Sequence, residues 1–150
     1  MKKTIGFLFL CIITITACEK DDFCTQNPVT PKLILRFYDA TSRTTTKEAE
    51  TLYVWVENKD SLFVDIATDS LVIPLNSNTN QTTYNLSKDG VIEQLTINYV
   101  TENEYVSRSC GFKINFSDVS LSSSNNWIID FTTIATTLEN QDAAHVQVFH

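Results

Sequence analysis

The chain has 150 residues, 43% of them hydrophobic and 19% charged, with 11 Lys and Arg against 18 Asp and Glu for a formal net charge of -7. Such a length suits one compact domain, and the acidity argues against a nucleic-acid partner because no basic surface is available to neutralise phosphates. With only 3 Gly, neither a G-x-G-x-x-G nor a G-x-x-x-x-G-K loop is present, which argues against nucleotide-dependent chemistry.

Lys2 and Lys3 precede an apolar run from Ile5 to Ile15, shorter than the about 20 residues that a membrane-spanning helix needs, so the run reads as a secretory signal. Ile15, Thr16, Ala17 and Cys18 resemble the bacterial lipobox, in which the cysteine is acylated and becomes the mature N-terminus; the alternative is an ordinary signal with an incidental cysteine. Several acyl chains such as palmitate on Cys18 would hold the protein stably at a membrane, where a single chain binds only marginally. The Glu19-Lys20-Asp21-Asp22 run is similar to the signal that carries lipoproteins of Bacteroidota-type bacteria to the outer leaflet of the outer membrane. Its plainer reading is a solvated tether. The expected organisation is a removed signal peptide (1–17), a lipid-anchored tether (18–30) and one domain (31–150), at the outer membrane and exposed at the cell surface, with a periplasm-facing orientation as the alternative.

Cys11 leaves with the signal and Cys18 carries lipid, so Cys24 and Cys110 remain of the 4 cysteines. An oxidising envelope and an even remainder imply one structural disulfide.

From there the pattern has period two. Leu33, Leu35 and Phe37 alternate with Ile34, Arg36 and Tyr38; Leu52, Val54 and Val56 alternate with Tyr53 and Trp55; Leu62, Val64 and Ile66 alternate with Phe63 and Asp65. Further strands are expected at Leu71 to Leu75, Tyr84 to Leu86, Leu95 to Tyr99, Cys110 to Phe116, Trp127 to Phe131 and Val146 to Val148, with a hairpin at Thr101 to Glu104 and a helical turn near Thr136 to Ala144. About nine short strands bounded by Asn, Asp, Ser, Thr and Gly, without a long amphipathic helix, make an all-β antiparallel β-sandwich, with immunoglobulin-like topology as the leading arrangement and a partly open β-barrel as the alternative.

The segments CTQNPVTPKLILRFYD (Cys24 to Asp39), DSLVIPLN (Asp69 to Asn76), SRSCGFK (Ser107 to Lys113) and HVQVF (His145 to Phe149) resemble an uncharacterised family of small Bacteroidota cell-envelope lipoproteins. The resemblance spans the mature chain. It implies a lipid-anchored, β-rich envelope protein with a Cys24–Cys110 bridge, and it supplies no established activity to carry over, so function stays open.

Few residues suggest chemistry. The 2 histidines, His145 and His150, lie at the end of the sequence, and His145 reads as an exposed or partly satisfied strand residue. No G-x-S-x-G elbow nominates a serine. Carboxylate pairs such as Glu102 with Glu104, or Asp65 with Asp69, would suit glycoside hydrolysis in a cleft but more simply keep strand edges soluble. No calcium loop is present, and Lys88-Asp89-Gly90 reads as a hairpin turn. Arg108 and Lys113 flank the cystine and suit either an anion or the covering of a strand. No catalytic residue, metal or cofactor is assigned. Asp60-Ser61-Leu62 and Asp69-Ser70-Leu71 look like acceptors of the general O-glycosylation found in Bacteroidota, at Ser61 and Ser70; as plain structure they are turns leading into strands. Tyr38, Tyr53, Trp55 and Phe63 lie opposite the most aliphatic rows and form the expected binding face, unless the faces are inverted and these rings line the core.

The expected function is therefore a noncatalytic binding or accessory module on the cell surface, contacting an envelope protein or glycan. A structural or assembly factor facing the periplasm and an envelope hydrolase are the alternatives.

Overall fold

The computed structural model describes residues 23–26 and 28–150; the expected signal peptide (1–17), the expected lipidation site Cys18 and residues 19–22 and 27 of the expected tether lie outside them. The described residues fall into two units, a smaller one with residues 23–26, 28 and 105–112 and a larger one with residues 29–104 and 113–150.

Nine strands are found among the described residues: β1 (Leu33–Tyr38), β2 (Ala49–Val56), β3 (Ser61–Thr68), β4 (Ser70–Ile73), β5 (Gln81–Lys88), β6 (Val91–Ser107), β7 (Gly111–Ser123), β8 (Asp130–Thr133) and β9 (Val146–Phe149). They form a four-stranded sheet ordered β4-β1-β9-β8 and a five-stranded sheet ordered β3-β2-β5-β6-β7, which do not close into a barrel. The β1–β4, β2–β3, β2–β5, β5–β6 and β8–β9 pairs are antiparallel, whereas β1 and β9 run parallel from Leu35 opposite Val146 to Tyr38 opposite Phe149.

The larger unit is the β-sandwich that strand count and alternation predict. On β1, Leu33, Leu35 and Phe37 are completely buried and face Leu52 and Val54 of β2, Leu86 of β5 and Leu95 and Ile97 of β6 in one continuous core. Burying each such side chain contributes about 1.5 to 3 kcal/mol, which is why period two specifies both sheets.

Three local expectations change. Thr101 to Glu104 lie inside β6, and the turn falls at Arg108 to Cys110. The segment from Thr136 to Ala144 contains no helix; Leu138 instead forms an isolated bridge with Phe116 of β7. In the segment Trp127 to Phe131 the buried residue is Ile128, while Ile129 is exposed.

In the smaller unit, Cys24 and Cys110 are joined by a disulfide with their Cα atoms 4.7 Å apart. Ser107 Oγ accepts the Cys110 N–H at 3.0 Å and shapes the turn. Gly111 has φ 73°, a conformation that disfavours a side chain. The Tyr105 and Phe112 rings meet edge to face, 5.3 Å between centroids.

Candidate functional site

The outward side of the five-stranded sheet carries the candidate site. On β2, Leu52 and Val54 point inward, so alternation turns Tyr53 and Trp55 outward; Tyr53 is exposed and Trp55 half-buried. Register places Tyr53 beside Ser87 and Trp55 beside Asn85 on β5, with Ser61 of β3 on the other flank of Trp55. The outward row of β5 is Gln81, Thr83, Asn85 and Ser87, facing Asn98, Thr96, Gln94 and Ile92 of β6. These side chains bond to one another: Gln81 Nε2 donates to Asn98 Oδ1 at 2.8 Å, and the Thr83 and Thr96 hydroxyls lie 3.1 Å apart. In an acidic chain, the two rows carry amides and hydroxyls, with Ile92 at one end, and no charge. Tyr53, Trp55, Lys59, Ser61 and Ser87 line a shallow depression of about 360 Å³ on this face.

Only Tyr53 and Trp55 of the four predicted aromatic residues meet there. Phe63 is turned inward, opposite Val54 and packed on the core. The cause is a set of register shifts between β2 and β3, with Thr51 and Asp65 at φ 50°. Each bulge inserts a residue and reverses the alternation beyond it, so Leu62 and Val64 are exposed while Phe63 and Ile66 pack inward. Tyr38 lies on the other sheet, its ring 5.9 Å from that of Phe149, over which the Arg43 guanidinium stacks at 3.9 Å.

A deeper cavity of about 510 Å³ opens beside the depression and shares Lys59 with it. Val56, Leu62, Pro74 and Tyr84 give it apolar walls, and Asn76 and Thr82 contribute polar atoms. Its loop is held by two tyrosines: the Tyr84 hydroxyl donates to the Pro74 carbonyl, and the Tyr99 hydroxyl donates to the Asn76 carbonyl at 2.8 Å. Burial pushes the Tyr84 hydroxyl up to about 12, so it remains a donor. The volume is in the range of small-ligand sites.

The buried titratable groups are committed to structure. Glu93, completely buried, accepts hydrogen bonds from the Ser124 hydroxyl and from the backbone N–H groups of Asn126, Trp127 and Ile128. Burial raises its pKa, but these four donors outweigh that and hold the carboxyl below its ordinary range. Period two from Leu95, Ile97 and Tyr99 places Glu93 on the inward face, a signal the sequence analysis did not use. His145 is buried rather than exposed, because β1 covers it. Its Nδ1 accepts the Ile34 N–H at 3.0 Å, and burial lowers its pKa despite a bond to the Asn140 carbonyl. His150 is also buried, against the rings of Phe37 and Trp127.

The carboxylates proposed as pairs have other partners: Glu104 meets Lys113 at 3.1 Å and Asn115 Nδ2 at 2.6 Å, Glu102 accepts the Ser117 hydroxyl, and Asp69 binds Arg36 at 2.8 Å. Asp65 is exposed on its bulge. Lys113 is thereby engaged with Glu104, and Arg108 lies in the turn of the smaller unit. Ser61 is exposed at the start of β3, whereas Ser70 is half-buried, its backbone bonded on both sides by the Thr68 hydroxyl. Among the described residues no group of three or more His, Cys, Asp or Glu could hold a metal ion, and no helix is long and apolar enough to cross a membrane.

The family of unknown function DUF6452 matches residues 51–150, and the chain belongs to it. No curated protein and no solved structure matches.

Proposed function

We propose that this member of DUF6452 is a noncatalytic glycan-binding lipoprotein of the outer membrane, held by acyl chains on Cys18 and presenting its sandwich at the cell surface. The observation that carries the reading is the Tyr53–Trp55 pair beside a row of uncharged amides and hydroxyls, with Lys59 as the one charged lining residue, on an otherwise acidic chain. A neutral sugar ring has an apolar C–H face that stacks on an aromatic ring and an equatorial rim of hydroxyls that exchange hydrogen bonds with Asn, Gln, Thr and Ser. Water-exposed amides in such rows bind neutral polyols without the desolvation cost of a charge. The basic n-region, the Cys18 lipobox and the acidic run after it support the location. Ser61, on the rim of the depression, and Ser70 are the proposed O-glycosylation sites.

The test is calorimetric titration of the native lipoprotein in detergent with a panel of neutral and acidic oligosaccharides. A neutral member of the panel binds, and Trp55→Ala weakens it at least about ten-fold, the equivalent of about 1.4 kcal/mol. Equal binding by Trp55→Ala, or no binding by any neutral oligosaccharide, overturns the glycan reading. Protease added to intact cells checks the location: degradation fits surface display, and protection until the outer membrane is permeabilised overturns it.

A further inference from the structure

Four aromatic side chains are exposed among the described residues, and three belong to the smaller unit: Phe23 at 81%, Phe112 at 65% and Tyr105 at 59%. They are covalently gathered, since Phe23 precedes Cys24, Phe112 lies two residues beyond Cys110, and those cysteines are bonded. Tyr105 stacks edge to face on Phe112, which arranges the pair without covering either ring. Although the chain carries 18 acidic residues, none falls between Tyr105 and Phe112, where the only ionisable side chain besides Tyr105 is that of Arg108. An aromatic turn without acidic side chains and with one cation has the composition of residues that settle at a bilayer interface.

The length of chain upstream says which surface it meets. Cys18 lies six residues before Cys24, a span of at most about 22 Å when fully extended. The disulfide adds only the 4.7 Å between the two Cα atoms. Acyl chains on Cys18 therefore keep Phe23, Tyr105 and Phe112 within reach of the headgroup layer at all times, at high effective concentration.

We propose that Phe23, Tyr105 and Phe112 insert together into the interfacial layer of the membrane to which the protein is anchored, making a second lipid contact beside the acyl chains. This rests on the acylation of Cys18 in the proposed function and is independent of the glycan site. The disulfide has a role here beyond stability: it brings a turn from late in the chain to the anchored end.

The test reconstitutes the full native lipoprotein, carrying Phe112→Trp, into phosphatidylcholine vesicles with and without bromine on the acyl chains. Bromine quenches indole only at contact, so the added fluorescence falls about two-fold or more in brominated vesicles, as for an interfacial tryptophan. The unsubstituted protein, with Trp55 and Trp127 only, is the baseline. Tyr105→Trp is the second reporter should Phe112→Trp fold poorly. Intact mass of the same preparation reports the acyl chains on Cys18. Acylated protein whose added tryptophan is no more quenched than the baseline overturns the lipid contact and leaves the anchor standing, as would a tip buried against a second copy of the chain. Protein without acyl chains overturns the anchor and this inference with it.

Discussion

Glu93 shows at the scale of one residue how a buried charge is retained. Its two oxygens accept one hydroxyl and three backbone N–H groups from Ser124 to Ile128, a segment that otherwise has no strand to satisfy its donors. The carboxylate is therefore a bracket for this loop, and its lowered pKa makes it an acceptor and no general acid. Glu93→Ala is expected to destabilise the protein by about 3 kcal/mol, because several buried donors lose their partner at once. Glu93→Gln costs less, keeping one acceptor oxygen while presenting N–H groups to N–H groups. Urea unfolding of both variants checks this, and equal midpoints for Glu93→Ala and the parent would contradict it. The inward orientation of Glu93 was legible in the phase of β6, but its donors lie thirty residues away and were not.

At the scale of the element, the β2–β3 pair shows how bulges rearrange a predicted face. Alternation over Leu62 to Ile66 assigns Phe63 to the outside, and it fails because Asp65, at φ 50°, shifts the phase. Asp tolerates this conformation better than most side chains, and Gly does so without strain. Asp65→Gly is therefore expected to be neutral or stabilising by up to about 1 kcal/mol, and Asp65→Val to destabilise by about 1 to 2 kcal/mol. Thermal midpoints with the reverse order would show that the bulge does not set the phase. With Phe63 turned inward, Tyr53 and Trp55 are the aromatic pair left on the outer face, so the extent of the candidate site depends on these register shifts.

At the scale of the whole molecule, acid should act in two stages. Burial lowers the pKa of His145 and of His150 below the ordinary 6.5. Around His150 the Lys88 and Lys47 ammonium groups lower it further, while the Lys47 carbonyl and the Asp39 carboxylate oppose them. Above pH 6.5 both states are neutral and stability is full. As pH falls below that value the unfolded chain binds protons that the folded one resists, so stability declines, by no more than about 1.4 kcal/mol per pH unit for each histidine. Glu93 has the opposite charge type: its folded pKa lies below the ordinary 4.5, so its contribution is present above that value and lost as pH falls through the folded value. Denaturant midpoints measured against pH are expected to show a first decline from about pH 6.5, absent when both histidines are changed to Gln, and a second below about pH 4.5. A flat profile between those two values would contradict the burial of the histidines.

The sequence by itself determined the all-β sandwich, nearly every strand, and the Cys24–Cys110 pairing. These follow from period-two burial and from cysteine count, which are local or countable properties. It also nominated Tyr53 and Trp55, because undisturbed alternation on β2 turns them outward. Only the tertiary structure decided the strand order, the parallel β1–β9 pair, the inward turn of Phe63, the separation of Tyr38 from the other aromatic residues, the burial of His145 and the donors around Glu93. Each depends on which distant segment packs against which, or on a single residue with positive φ, and neither leaves a periodic trace in the chain.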